Sequence, residues 1–161
     1  MSDEVRRRRA MEVWQEAYAR QMQGDLEEAI RLYRESIAIS PTAEAHTFLG
    51  WTYSLRGRLD EAIDECHKAI AVDPAFGNPY NDIGVYLMQK GDLDGAIPWL
   101  EKAKRAARYD PRQFPYMNLS RIHLRRGQWT LALRELEAGV RAVPKDPEMR
   151  KMLHELRAKL N

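Results

Sequence analysis

The feature that most constrains this chain is a glycine that returns at nearly constant intervals. Successive glycines of the series are separated by 33, 34 and 36 residues, and an alanine follows each of them five residues later. The segments that begin at Gly24, Gly57, Gly91 and Gly127 read GDLEEAI, GRLDEAI, GDLDGAI and GQWTLAL. A period of roughly 20–50 residues is typical of stacked architectures, in which one unit cannot bury its apolar face alone. The sequence therefore predicts a stack of four similar units without a central core.

Each unit contains two segments of about 14 residues with the apolar spacing of an amphipathic α-helix. In the second unit, Leu59, Ile63 and Cys66 lie on one such stripe. The glycine between the two segments ends the first helix, because glycine adopts left-handed backbone angles without a steric cost. A proline after the second segment, such as Pro74, stops the second helix. We predict two helices per unit and a ninth helix near residues 147–160.

These recurring residues make the chain resemble the tetratricopeptide-repeat family, since many positions recur in register in all four units. The resemblance implies an all-α fold, a right-handed superhelical α-solenoid of four helix-turn-helix repeats plus a capping helix. The expected segments are a basic N-terminal extension at 1–9, repeats at 10–42, 43–76, 77–112 and 113–146, and a C-terminal capping helix at 147–161. The last segment fits the capping role because one face is apolar and the other is charged.

Two irregularities interrupt the pattern, both in the third repeat. Two extra residues around the segment AARYDPRQF lengthen either its second helix or the following loop. Pro98 stands one turn into that helix, where its missing N–H removes a backbone donor. Two interpretations of Pro98 stay open: a harmless irregularity or delay near the helix start, and a local bend that reshapes the groove.

The composition argues against several functional classes. The formal net charge is only +2, from 26 basic and 24 acidic residues, which argues against a strongly basic nucleic-acid-binding protein. No run approaches the roughly 18–20 apolar residues of a membrane helix. The charged start MSDEVRRRR lacks the apolar segment of a signal peptide. We therefore expect a cytoplasmic protein with neither a membrane nor a nucleic-acid partner.

Residues that carry catalysis form no recognisable pattern in this sequence. Cys66, the single cysteine, falls at a core position of a second helix, and His46 and His123 fall at inward positions of first helices. We expect these three side chains to be packing residues. Without a metal-ligand spacing, a phosphate loop or a catalytic triad order, we expect no enzymatic activity, no metal and no cofactor.

The family resemblance also indicates where a partner binds, because the first helices of such repeats line the concave groove. Aligning the first helices gives nine candidate partner-binding residues. They are Trp14, Tyr18, Phe48, Trp51, Asn81, Met88, Asn118, Arg121 and Arg125. The first two repeats are rich in aromatic side chains, whereas the last two become polar and end in arginines. Trp, Tyr, Met and Arg are all enriched in binding surfaces.

These residues predict three kinds of contact with a bound peptide. The aromatic residues are expected to hold an apolar or aromatic peptide end. Asn81 and Asn118 are expected to bond backbone amides of the peptide, and Arg121 and Arg125 to bind a carboxylate. Packing of the rings beneath the preceding helix, and ordinary solvation of the arginines, stay open as alternatives.

One known activity of the family does not carry over. Members that clamp the carboxylate tail of chaperones use a lysine and an asparagine in their first repeat. Trp14 and Tyr18 stand at those places here. The resemblance therefore argues against a carboxylate clamp in the first repeat.

Charge is distributed unevenly along the chain. Residues 10–76 carry a net charge of −6, whereas residues 77–161 carry +6. This asymmetry suggests oriented association with a charged partner, or self-association of copies through ends of opposite charge. Solvation of ordinary outer faces is the alternative.

These expectations favour a non-catalytic protein–protein interaction module, an adaptor or scaffold that binds a peptide or protein segment in its concave groove. The alternative is a chaperone for secreted bacterial substrates, a class with similar size and repeat type. Such chaperones usually contain three repeats, whereas this sequence contains four. An enzyme or a small-ligand sensor is a third class, which no residue pattern supports.

Overall fold

The computed structural model describes the whole chain, Met1–Asn161, as a series of α-helices joined by short connections. The nine helices are α1 (Asp3–Met22), α2 (Leu26–Ile39), α3 (Ala43–Leu55), α4 (Leu59–Val72), α5 (Asn78–Gln89), α6 (Leu93–Arg105), α7 (Gln113–Arg125), α8 (Trp129–Ala142) and α9 (Pro147–Leu160). The one strand-like feature is an isolated bridge between Phe76 and Arg108 in two connecting loops. The predicted all-α chain of four helix pairs and a ninth helix is therefore confirmed.

The helices pack in the order of the chain. The closest pairs are α1 with α2, α3 with α4, α5 with α6 and α7 with α8, and each pair packs on the next. The first helices α1, α3, α5 and α7 also contact one another along the stack. A curved stack brings helices closest together on its concave side. The arrangement is therefore an α-helical repeat solenoid with the first helices along its inner face.

Each first helix is followed by a glycine in the left-handed region of the backbone. The angle φ is +82°, +74°, +85° and +68° at Gly24, Gly57, Gly91 and Gly127. After α3, the N–H of Gly57 donates to the carbonyl of Ser54, and the N–H of Arg58 donates to that of Tyr53. These bonds satisfy carbonyl groups at the helix end. A residue with a Cβ is strained in this conformation, which explains why glycine recurs here.

Buried apolar side chains lie between neighbouring helices along the whole stack. The largest cluster contains 12 buried residues from the first three repeats, among them Tyr33, Leu49, Cys66 and Ile83. Two further clusters join the third repeat to the fourth and the fourth repeat to α9. Cys66 is fully buried and packs in the core as expected, and burial raises the pKa of its thiol. The core is distributed between repeats, as the period of the sequence predicts.

The last helix closes the C-terminal end of the stack. Met149, Leu153 and Leu156 of α9 are buried against Leu136 of α8. Gly139 lies beneath Met149, and a Cβ at this glycine would clash with the Met149 sulfur. The predicted capping role of this helix is therefore confirmed.

The basic N-terminal extension is helical. The first helix begins at Asp3 and runs for 20 residues, so the extension continues the first helix of the first repeat. The Val5 N–H donates to the Ser2 hydroxyl at 3.3 Å, which caps the start of the helix. The arginines of the extension are exposed to solvent.

The extra residues of the third repeat lie in the loop after α6. This helix begins at Leu93, the position equivalent to the starts of α2, α4 and α8, and contains Pro98 in its interior. It has 13 residues where α4 has 14. Pro98 therefore does not delay the helix start, and the insertion lengthens the loop rather than the helix.

The lengthened loop, residues 106–112, is fastened to the loop after α4. The Arg108 N–H donates to the Ala75 carbonyl, and the Gly77 N–H donates to the Arg108 carbonyl, both at 2.9 Å. The guanidinium of Arg108 pairs with Asp73 at 2.7 Å and with Glu44 at 2.9 Å. We call this set of contacts the Arg108 tie. It joins the start of α3, the end of α4 and the end of α6.

Candidate partner-binding groove

Four aromatic residues of α1 and α3 form one continuous patch on the inner face. We call it the aromatic surface, and its members are Trp14, Tyr18, Phe48 and Trp51. The rings of Trp14 and Tyr18 are stacked with centroids 5.7 Å apart. Phe48 lies at the centre, with centroids 5.1 Å from Trp14, 5.7 Å from Tyr18 and 5.8 Å from Trp51. The structure therefore brings together the four aromatic candidates from two different repeats.

The members of the aromatic surface differ in exposure. Tyr18 and Trp51 are 39% and 37% exposed, whereas Trp14 and Phe48 are half-buried. Phe48 also approaches Tyr33 of α2, with centroids 6.2 Å apart. The Trp14 indole N–H is buried without a hydrogen-bond partner. Two rings thus face the groove, and the other two support them from below.

The polar candidates of the third and fourth repeats bond to one another. The amide nitrogen of Asn118 donates to the Asn81 side-chain oxygen at 3.1 Å. The Arg121 guanidinium donates to the Asn118 side-chain oxygen at 3.0 Å and lies 3.8 Å from the Glu148 carboxylate of α9. Both asparagines are buried, at 6% and 7% exposure. We call these three residues the polar chain; the side-chain oxygens predicted to meet a peptide already accept hydrogen bonds within it.

Two candidates stand apart from these groups. Arg125 is exposed one turn after Arg121 and forms no ion pair in the structure. Met88 is only 9% exposed and packs with Leu119 and Ile122 of α7. The structure therefore places Met88 in the interface between the third and fourth repeats, which corrects its expected place on the groove surface.

A cavity of about 310 Å³ opens next to the aromatic surface. We call it the groove cavity, and it is lined by Thr47, Phe48, Trp51, Asn78, Asn81, Asp82, Tyr109, Pro111 and Phe114. Tyr109 and Pro111 come from the lengthened loop of the third repeat. Tyr109 packs directly against Gly77, where a Cβ would clash with its ring. The insertion therefore reshapes the groove by adding a wall to it. Pro98 does not contribute to this wall.

Asp82 supplies the negative charge of the groove cavity. Burial raises the pKa of its carboxyl group to about 7, although a hydrogen bond with the Asn81 side chain acts in the opposite direction. Burial raises the pKa values of Tyr86 and Tyr109, and the charge of Asp82 raises them further. The repeat register places Asp82 at a groove position. What sets it apart from other acidic residues is its enclosure by the lengthened loop, which the register does not predict.

The predicted packing histidines have different surroundings. His46 is buried in α3, and its Nδ1 lies 2.7 Å from the Glu65 carboxylate of α4. Lys68 donates to the same carboxylate at 2.8 Å. Burial raises the pKa of Glu65, but the hydrogen bonds from His46 and Lys68 outweigh it and hold that pKa below its ordinary value. His123 is only half-buried and bonds to Gln128 in the turn after α7.

No group of three or more His, Cys, Asp or Glu side chains is arranged so that it could hold a metal ion. None of the helices combines the length and the apolar character that crossing a bilayer requires.

Comparison with known families identifies the repeat. Models of the tetratricopeptide repeat match residues 43–76, 67–111 and 114–138. This chain belongs to the tetratricopeptide-repeat family. The matched segments fall in the second, third and fourth units of this tetratricopeptide-repeat protein. Tetratricopeptide repeats are protein–protein interaction modules, and their fold is generally non-catalytic.

Two curated relatives come from Arabidopsis thaliana. The inactive TPR repeat-containing thioredoxin TTL3 is 26% identical over an alignment of 130 positions, which covers 73% of this chain and 18% of that protein. The TPR repeat-containing thioredoxin TTL4 is 28% identical over 74 residues, 45% of this chain and 11% of that protein. The tetratricopeptide-repeat chain therefore spans less than a fifth of the length of these relatives.

Solved structures share the fold at low sequence identity. PilF from Pseudomonas aeruginosa has a TM-score of 0.84 at 22% identity and covers 96% of this chain and 70% of its own. PilW, a widely conserved type IV pilus biogenesis factor, has a TM-score of 0.78 at 18% identity, with 92% and 69% coverage. MamA has a TM-score of 0.71 at 20% identity, with 91% and 80% coverage. These likenesses show a common tetratricopeptide-repeat solenoid.

Proposed function

We propose that this tetratricopeptide-repeat protein is a non-catalytic adaptor or scaffold that binds a peptide or protein segment in its concave groove. The observation that supports the proposal is the aromatic surface. It joins four rings from two repeats into one patch, and Tyr18 and Trp51 each leave more than a third of their surface exposed. Covering such rings with an apolar partner residue is favourable at about 25 cal/mol per Å² of apolar area removed from water.

In this proposal the two halves of the groove bind different parts of the partner. Tyr18 and Trp51 act as anchors for apolar or aromatic side chains, because rigid aromatic rings dominate the energy of many interfaces. Arg125, which is free of ion pairs, offers a donor group to a carboxylate of the partner. Arg121, one helical turn before Arg125, is held in the polar chain. The partner is therefore expected to be apolar at one end and acidic at the other.

Affinity capture with matched tryptophan variants tests this function. The protein and its Trp51→Ala variant are used as bait, and the Trp129→Ala variant is the control. Trp129 is also exposed, at 46%, but lies at the start of the second helix α8 and outside the aromatic surface. A groove partner is retained by the control and reduced by about tenfold with Trp51→Ala, as loss of an anchor worth about 1.4 kcal/mol gives. Equal capture by all baits would contradict groove binding.

The chaperone for secreted bacterial substrates is the alternative, favoured by the same aromatic surface, since such a surface also suits an unfolded apolar segment. Chaperones of that class tend to dimerise. Sedimentation therefore separates the two proposals, and a strict monomer counts against the chaperone. Both proposals keep the protein in the cytoplasm. Self-association through the −6 and +6 parts of the chain would weaken as salt is added, which the same sedimentation measurement detects.

A further inference from the structure

The groove cavity combines aromatic walls with one carboxylate. Phe48, Trp51, Tyr109 and Phe114 contribute rings to its lining, and Asp82 contributes the charge. Trp51 and Phe114 are each more than a third exposed, so the cavity is open to the groove. Its volume of about 310 Å³ lies at the small end of the range for ligand pockets and matches a side chain better than a whole small ligand.

Asp82 has no positive charge to balance it. None of the ion pairs in the structure includes its carboxylate, and the pKa of the group responds to burial and to the Asn81 side chain. Two arginines flank the loop residues of the cavity wall, and both are engaged elsewhere. Arg108 pairs with Asp73 and Glu44. Arg112 donates to the backbone carbonyls of Lys104 and Ala106. The carboxylate therefore stands in the cavity without an internal cation.

Other acidic residues near the groove differ in this respect. Glu44 pairs with Arg108 at 2.9 Å, and Glu148 lies 3.8 Å from Arg121. On the outer side of the stack, the buried Glu65 carboxylate is held by both His46 and Lys68. A carboxylate that is enclosed and unpaired destabilises the folded chain, and an incoming cation removes that penalty on binding.

We propose that the groove cavity binds an arginine side chain of the partner, with its guanidinium between the aromatic rings and paired with Asp82. This inference rests on the proposed groove function and adds an arginine between the apolar and the acidic parts of the partner, since the cavity lies between the aromatic surface and Arg125. A guanidinium is planar, stacks on aromatic faces, and forms two parallel hydrogen bonds with a carboxylate. It is also more weakly hydrated than an ammonium group, so it enters an enclosed site at a lower desolvation cost than lysine. Residues 10–76 carry a net charge of −6, mostly on the outer helices α2 and α4, and this charge attracts an arginine to this side of the molecule at long range.

Pools of short peptides test the proposal directly. Each pool has random residues around one fixed central residue, which is arginine, lysine or citrulline, the neutral analogue of arginine. Binding of each fluorescent pool is measured by anisotropy with the full chain. We expect the arginine pool to bind about tenfold more tightly than the citrulline pool, which corresponds to about 1.4 kcal/mol, and the lysine pool to fall between them.

Two matched variants locate the effect. Asp82→Asn removes the charge without changing the shape, and we expect it to abolish the preference for arginine over citrulline. Asp64→Asn removes the same charge from an exposed position on the outer helix α4, and we expect the preference to persist. A denaturation curve of each variant confirms that both chains are folded.

The outcomes separate this inference from the proposed function. If arginine and citrulline pools bind alike while Trp51→Ala weakens both, the groove binds peptides and the arginine pocket is wrong. A preference for arginine that survives in Asp82→Asn, or a lysine pool that binds more tightly than the arginine pool, also overturns the pocket. If no pool binds, the arginine pocket fails, and the capture experiment with Trp51→Ala decides separately on the groove.

Discussion

The first and last halves of the inner face use the same helical frame in opposite ways. In the first two repeats, aromatic rings pack edge to face and leave Tyr18 and Trp51 open to the groove. In the last two repeats, Asn81 and Asn118 are buried and bond to each other, and Arg121 joins them. The first half thus offers exposed rings to the groove, whereas in the second half the buried polar side chains bond to one another. The solenoid decides where a side chain stands, and its neighbours decide whether it is available to a partner.

The largest loss of stability is expected from Phe48→Ala, in the aromatic half. Phe48 is the ring against which Trp14, Tyr18 and Trp51 are packed, so its removal leaves a hole beneath the aromatic surface. We expect a loss of about 3 kcal/mol in the free energy of unfolding, the low end for Phe-to-Ala changes because Phe48 is only half-buried. Urea denaturation measures it.

Leu55→Ala is the control for Phe48→Ala. Leu55 lies on the same helix but is 52% exposed, so its truncation is expected to change the free energy of unfolding by less than about 0.5 kcal/mol. A loss below about 1 kcal/mol for Phe48→Ala would show that the rings do not depend on one another.

The second effect tests the closed half through Asn118→Ala. This change leaves the buried Asn81 oxygen without its donor and removes the acceptor of Arg121. We expect a loss of about 2 kcal/mol in the free energy of unfolding, the penalty of an unsatisfied buried polar group. A double-mutant cycle with Asn81→Ala measures their coupling. Strictly additive losses would mean that the polar chain is not a unit.

Asp82→Asn, at the boundary between the two halves, is expected to change how stability depends on pH. Because burial raises the pKa of Asp82 to about 7, the folded chain retains a proton that the unfolded chain releases at lower pH. The contribution of Asp82 to stability therefore falls as pH rises from about 4 to about 7, and the asparagine variant lacks this contribution. The full difference between the ordinary pKa and about 7 corresponds to about 4 kcal/mol, but solvent screens part of it because Asp82 is only half-buried. We therefore expect the variant to be more stable by about 1–2 kcal/mol at pH 8 and unchanged at pH 4. Denaturation at both pH values measures the difference, and equal stabilisation at both would contradict it.

The smallest effects are expected from the two groove arginines. Both Arg121→Ala and Arg125→Ala are expected to change the free energy of unfolding by less than about 0.5 kcal/mol, because exposed charges contribute little. Arg121→Ala has the larger effect of the two, since Arg121 donates to Asn118 and Arg125 forms no ion pair. Thermal denaturation of the pair ranks them. If Arg125→Ala were the more destabilising change, the hydrogen bond from Arg121 to Asn118 would not contribute to stability as expected.

Much of this architecture follows from the sequence, because one period controls it. The glycine series predicts the helix pairs and their turns, and the four aromatic candidates do lie together. Met88 shows where the register fails. It lies at the boundary between the groove surface and the interface with the next repeat, where a small rotation of the helix moves a side chain from one to the other. Met88 packs against Leu119 and Ile122 and is therefore in the interface.

Other parts of the site lie beyond a repeat pattern. Asn81 and Asn118 occupy successive positions of the repeat, not the same one, so their bond depends on how α5 and α7 are shifted relative to each other. The groove cavity depends on the path of an irregular loop that brings Tyr109 against Gly77. Periodicity predicts helices and their faces, but the departures from it have to be located in three dimensions.

The Arg108 tie has a mechanical consequence for the solenoid. Stacked repeats behave as a spring, since each joint between neighbours flexes on its own. Arg108 fastens three helix ends across the joint between the second and third repeats, with backbone bonds to Ala75 and Gly77 beside it. Under a pulling force this joint is expected to yield after the one between the third and fourth repeats. The molecule is therefore a spring with one stiff coil, located where its aromatic half ends.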